Sequence, residues 1–177
     1  MPAAPCERTQ DLTMSLPTIQ APFLSPDLGI EEAWIDYNGH MNVAYYIVLF
    51  DRGLDDAFDA VDIGGDYRSR EGKSFFTVES HVSYLRELTL GDMATVTTTL
   101  VAHDDKRIQT FQEMRHATEG FLAATLETLL LHIDMEARKA LPWAADVDAR
   151  ITAAFAAHRD LPRSERIGRA ITLSGKG

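Results

Sequence analysis

A chain of 177 residues, 45% hydrophobic and 25% charged, has enough length for one packed core and too little for two domains. Its net charge of −10 argues against nucleic acid as a ligand, and its one cysteine, Cys6, excludes an internal disulfide framework and a cysteine-rich zinc site. No stretch is apolar enough to span a bilayer, and the N-terminus lacks the basic start and apolar core of a secretory leader, so the expectation is a cytoplasmic protein.

Residues 1–25 are rich in Pro, Ala, Ser and Thr without periodicity and read as a flexible lead-in. Residues 27–36 predict a short strand with Ile30, Trp34 and Ile35 as its apolar positions, followed by a turn at Tyr37-Asn38-Gly39. The spacing of Tyr46, Ile47, Leu49, Phe50, Gly53, Leu54, Ala57, Phe58 and Val61 predicts a helix over 43–61, capped by Asn42 and ended by Gly64-Gly65. Its apolar arc is wide, which makes it a central helix.

After Gly72 the period changes to two. Ser74 to Leu88 alternates, and Asp92–Ala102, Arg107–Ala117 and Phe121–Met135 form three long strands separated by turns at Asp104-Asp105 and Glu119-Gly120. Tight turns between long strands predict an antiparallel meander. A terminal helix is expected over 146–158, after Pro142. The plan is α+β, one long helix lying on one curved antiparallel sheet of about five strands, with a C-terminal helix. The tail from His158 carries five basic residues against two acidic ones on an otherwise acidic chain, which suits a solvated or docking tail or a contact for a phosphorylated ligand.

The densest chemistry lies in Asp36 to Tyr46, D-Y-N-G-H-M-N-V-A-Y-Y. A carboxylate, an imidazole and an amide meet where the helix begins, and unpaired N–H groups at a helix start favour negative charge. A carbonyl docked there would gain oxyanion stabilisation, and a nearby carboxylate could attack it or activate water. The same residues also suit plain structural roles: Asp36 and Asn42 as turn and cap, His40 as a hydrogen-bonded turn histidine, and the tyrosines as core.

This segment resembles the signature of hot-dog fold thioesterases of the 4-hydroxybenzoyl-CoA thioesterase type. The resemblance continues through FFTVESHVSYLRELTLGD (75–92), the strand pair around DDKRIQTFQEMRH and the ATLETLLLHID strand, and covers roughly 26–143, leaving 144–177 as C-terminal helix and basic tail. DYNGHMN, FFTVESH, DDKR and LLLHID together are similar to the betainyl-CoA thioesterases of carnitine degradation. The resemblance implies Asp36 as catalytic carboxylate, His40 and Asn42 beside it, and the Val43 backbone N–H as oxyanion donor. It implies a second polar group at Glu79, with His81 on the same strand face, and Lys106 and Arg107 as contacts for the CoA phosphates. Some members of the family take their carboxylate from the helix, where Asp51, Asp55, Asp56 and Asp59 stand, with Asp51 and Asp55 one turn apart.

The implied reaction is acyl-CoA hydrolysis to free acid and CoA, without metal or other cofactor, in a homodimer or homotetramer with no membrane or nucleic-acid partner. A betainyl group would need aromatic faces or a carboxylate near its quaternary ammonium, and Trp34, Tyr37, Tyr45, Phe75 and Phe76 are the aromatic candidates. A hot-dog enoyl-CoA hydratase using His40 with Asp36, and a non-catalytic acyl-CoA-binding protein, are the alternatives.

Overall fold

The long helix forms where its apolar period places it. α1 spans Val43–Asp59, and Asn42 caps it in an extended conformation by accepting the Ala44 N–H at 3.0 Å. Tyr46, Leu49, Phe50, Gly53, Leu54, Ala57 and Phe58 are buried along one face, whereas Ile47 stays 39% exposed. A computed structural model describes residues 19–173; most of the expected lead-in and the last four residues lie outside the described residues.

α1 packs on an open antiparallel sheet. Its strands are β1 (Phe23–Leu24), β2 (Leu28–Gly29), β3 (Lys73–Tyr84), β4 (Met93–His103), β5 (Arg107–His116), β6 (Leu122–Asp134) and β7 (Lys139–Ala140). The order is β1-β4-β5-β6-β3, with β2 beside β4 and β7 beside β6. β4, β5 and β6 are the predicted meander, and β3 pairs with β6 to form one edge of the sheet. The core has two lobes. One, around Trp34, Met41, Tyr46, Phe50, Leu88 and Met114, sits under the start of α1; the other, around Phe58, Tyr67, Ile108, Leu130 and Trp143, sits under its end.

Two elements differ from expectation, and a third, the expected terminal helix, has a larger part in the core. The strand expected over 27–36 is only β2, followed by a 3-10 turn over Glu32–Trp34, because the chain bends there to let Ile35 bridge Met41. Gly64-Gly65 does not end the helical region but opens α2 (Gly65–Glu71), as the Gly65 N–H donates to Asp59 Oδ1 at 3.2 Å. That segment buries only Tyr67, so it carries no apolar period to read. α3 (Ala145–His158) does more than end the chain: Val147, Ile151 and Ala154 join the second lobe of the core. At its end, His158 Nδ1 accepts the Leu100 N–H at 2.9 Å, and Nε2 lies 3.0 Å from the Gln20 carbonyl. The helix thereby covers part of the β4 edge that β1 leaves unpaired.

Candidate active site

The turn leading into α1 is closed by its own backbone. The Asp36 N–H donates to the His40 carbonyl at 2.9 Å, the Gly39 N–H to the Asp36 carbonyl at 3.0 Å, and the Asn42 N–H to the Trp34 carbonyl at 2.9 Å. Gly39 supplies the left-handed corner at φ 80°, which an L side chain would strain. Asp36 Oδ1 accepts the Asn38 N–H at 2.7 Å. This fixes the carboxylate as in an Asx turn and leaves Oδ2 with no hydrogen bond from any described residue. Asp36 is half-buried, and so is His40, whose ring has no hydrogen-bond partner among the described residues. The Val43 N–H, the first of the helix, also has no acceptor among them.

A second segment braces this turn. The Met41 N–H donates to the Leu88 carbonyl at 2.7 Å, and the Leu88 N–H donates back to the Tyr46 hydroxyl at 3.0 Å. From the end of β3, the Tyr84 hydroxyl donates to the Val43 carbonyl at 3.2 Å and its ring meets Tyr46 edge-on at 5.3 Å. The loop holding Leu88 is itself closed by Asp92, whose Oδ2 accepts the Thr89 N–H at 2.8 Å and hydroxyl at 3.1 Å. Burial raises the Asp92 pKa, but the Thr89 bonds and the His116 ring outweigh it, so the carboxyl titrates below its ordinary range. The Leu-Gly-Asp segment of the sequence is therefore the clamp of the candidate site.

Asp36, His40, Asn42 and the Val43 N–H meet at one turn as expected. Trp34 and Tyr45 lie beside them but are stacked on each other at 5.2 Å, with the Arg52 guanidinium 5.2 Å from the Trp34 ring. Tyr37 stands at the turn tip, 97% exposed. The other candidates are elsewhere in the chain. Phe75 packs in the second lobe of the core against Phe58 at 5.3 Å and His132 at 5.1 Å. Phe76 is 45% exposed on β3. Glu79 and His81 share a face, as expected, and stand opposite Leu129 and Glu127. They alternate with Val82 and Tyr84, which point toward α1, so their side chains point away from it. Lys106 and Arg107 sit at the β4–β5 turn, at the far end of the sheet from Val43. The Arg107 guanidinium is held by Asp104 at 2.7 Å, and that bond leads the causes that lower the Asp104 pKa to about 2. Tyr46, Tyr84, Leu88 and Asp92 were not singled out as site residues; only the LTLGD end of the segment that resembles the family over 75–92 signalled the last two.

The chain belongs to the thioesterase-like superfamily, whose family model matches residues 30–151; it is a hot-dog fold of the thioester-hydrolase class. Over 140 residues it is 34% identical to the betainyl-CoA thioesterase of Pseudomonas aeruginosa, covering 79% of this chain and 88% of that one. Over 148 residues it is 36% identical to the L-carnitine dehydrogenase/betainyl-CoA thioesterase of Rhizobium meliloti, covering 82% of this chain and 29% of that longer protein. A Staphylococcus aureus protein solved in complex with CoA has the same fold at a TM-score of 0.80 and 26% identity, covering 90% of this chain and 99% of that one.

Proposed function

We propose that the protein hydrolyses betainyl-CoA to betaine and free CoA. The observation that carries this reading is the pairing, at one braced turn, of an open Asp36 carboxylate oxygen with the unbonded Val43 N–H at the start of α1. The identity to the Pseudomonas enzyme supports the choice of acyl group. The thioester carbonyl accepts the Val43 N–H, and the helix dipole adds to its polarisation. Asp36 takes a proton from water, the water oxygen bonds to the carbonyl carbon, and the C–S bond breaks. The departing thiolate of CoA then takes up the proton. His40 and Asn42 orient the turn, and no metal or further cofactor takes part.

The reading includes a cytoplasmic homodimer formed through β3. This strand is 12 residues long, lies at the sheet edge and exposes Phe76 at 45% and Val78 at 52%. A long apolar edge of this kind is a template for pairing with another strand. A two-fold axis on it would make one continuous sheet and lay the two α1 helices side by side and antiparallel. Glu79, His81 and Phe76 would then stand at the seam, and Lys106 is the remaining basic candidate for the CoA phosphates.

The test is release of free thiol from betainyl-, acetyl-, 4-hydroxybenzoyl- and medium-chain acyl-CoA, with Asp36→Ala beside the wild type. Turnover of betainyl-CoA above the others, lost in the variant by a factor of about 10² or more, is expected. Preference for another ester would discard the betainyl assignment and keep the hydrolase. Single-turnover hydrolysis in heavy-oxygen water labels the betaine under this scheme, whereas label in Asp36 would show that the carboxylate attacks the carbonyl itself.

A further inference from the structure

We propose that the cavity between α1, α2 and β3 holds the quaternary ammonium of the acyl group, and that it serves the helix start of a second copy of the chain. The proposal rests on the hydrolysis reading above and names the residues that would recognise the substrate. The cavity has a volume of about 170 Å³ and is lined by Asp51, Asp55, Phe58, Arg68, Phe75 and Thr77 among others. That is the space of roughly six waters at about 30 Å³ each, which suits a compact trimethylammonium and not a long acyl chain.

Its charge is unbalanced. Two carboxylates face one guanidinium, and none of the three forms an ion pair with any described residue. Asp51 and Asp55 stand one turn apart on the same flank of α1. Desolvation, and after it the charge of Asp51, raise the Asp55 pKa, a cost that a bound cation would relieve. Phe58 and Phe75 form an edge-to-face pair at 5.3 Å on the cavity wall, and aromatic rings attract methylated ammonium groups. A small pocket with aromatic walls and a net negative charge fits a cation of this shape.

The reach of the substrate decides which helix start it serves. Asp51 and Asp55 follow Val43 by eight and twelve residues, about 12 and 18 Å along the helix axis. In a betainyl thioester the nitrogen is two bonds from the carbonyl carbon. A carbonyl on the chain's own Val43 N–H therefore cannot place its ammonium in this cavity. Phe75 and Thr77 of the cavity wall belong to β3, the free sheet edge. Two-fold pairing on that edge brings the start of the second α1 toward this flank.

The experiment compares kcat/KM for betainyl-CoA and for its neutral isostere, 3,3-dimethylbutanoyl-CoA, in the wild type and in Asp55→Asn. We expect the wild type to prefer the cation by about tenfold or more, and Asp55→Asn to lose that preference. An indifferent wild type, or a preference unchanged in Asp55→Asn, overturns the pocket. Binding of the betainyl-CoA analogue with a methylene in place of sulfur is measured in parallel. If no ester is hydrolysed but Asp55→Asn weakens this binding about tenfold, the pocket stands and the hydrolysis reading falls; equal binding overturns the pocket. Coexpressed Asp36→Ala and Asp55→Asn chains should turn over betainyl-CoA faster than either variant alone, because one mixed site per dimer is intact. No such gain, with mixed dimers present, overturns the assignment to the second copy.

Discussion

The Tyr67 hydroxyl and Nε2 of His132 lie 2.9 Å apart between α2 and β6, where both residues are buried. Nδ1 of the same ring is 2.8 Å from the Leu141 carbonyl, so Nδ1 carries the proton, Nε2 accepts from Tyr67 and the imidazole is neutral. Burial lowers the His132 pKa, the Leu141 bond opposes this, and Lys73 lowers it further. This pair fixes α2, one wall of the cavity beside Asp55, to the sheet.

Acid should therefore loosen the fold. His132 binds a proton more readily unfolded, near its ordinary 6.5, than folded. Its contribution is complete above about pH 6.5 and declines as pH falls toward the depressed folded value. His158, whose pKa burial also lowers, acts in the same direction. Urea midpoints should fall between pH 7.5 and 5.5. Tyr67→Phe, which leaves Nε2 buried without its donor, should cost about 1–3 kcal/mol at pH 7.5.

At Gly53, α1 lies tight against β4. A Cβ there would stand 2.7 Å from Val96 Cγ1 and 2.8 Å from Val96 Cβ, and the Val96 Cβ cannot swing away. Gly53→Ala should destabilise the protein by about 1–3 kcal/mol despite alanine's better helix propensity. Val96→Ala in the same chain should recover part of the loss in thermal melts.

Asn42→Ala removes the acceptor of the Ala44 N–H at the helix start. The expected cost is about 1 kcal/mol in denaturant unfolding. Because the same residue sets the direction of the Val43 N–H, kcat should fall by more than that stability loss explains in a protein that is still fully folded at the assay temperature.

Val78 lies at the bulge of the β3 edge and is 52% exposed. Val78→Lys places a charge on the proposed pairing strand, and light scattering should then report a monomer. The monomer should keep its circular dichroism spectrum and lose turnover, since the proposed site draws on two chains.

The sequence by itself determined the parts that local chemistry controls. The period of 43–61, the Asn42 cap, the Asn-Gly turn and the tight turns joining β4, β5 and β6 each follow from neighbours within a few residues, and the structure has all of them, whereas the alternation expected over Ser74–Leu88 is interrupted by the β3 bulge. For the same reason Asp36, His40, Asn42 and Val43 were legible as one cluster, since the turn that gathers them is contiguous. What only the tertiary structure decided rests on contacts between distant segments. Leu88 braces the site because it meets Tyr46 and Met41, 42 and 47 positions away along the chain. α2 has no apolar period and is held by Tyr67 on His132, 65 residues on. Phe75, grouped in sequence with the aromatic candidates near the turn, lies in the other lobe of the core, because β3 pairs with β6 in a register that sets Phe75 against His132. Strand register is fixed by which face the whole sheet buries, and no short segment carries that information.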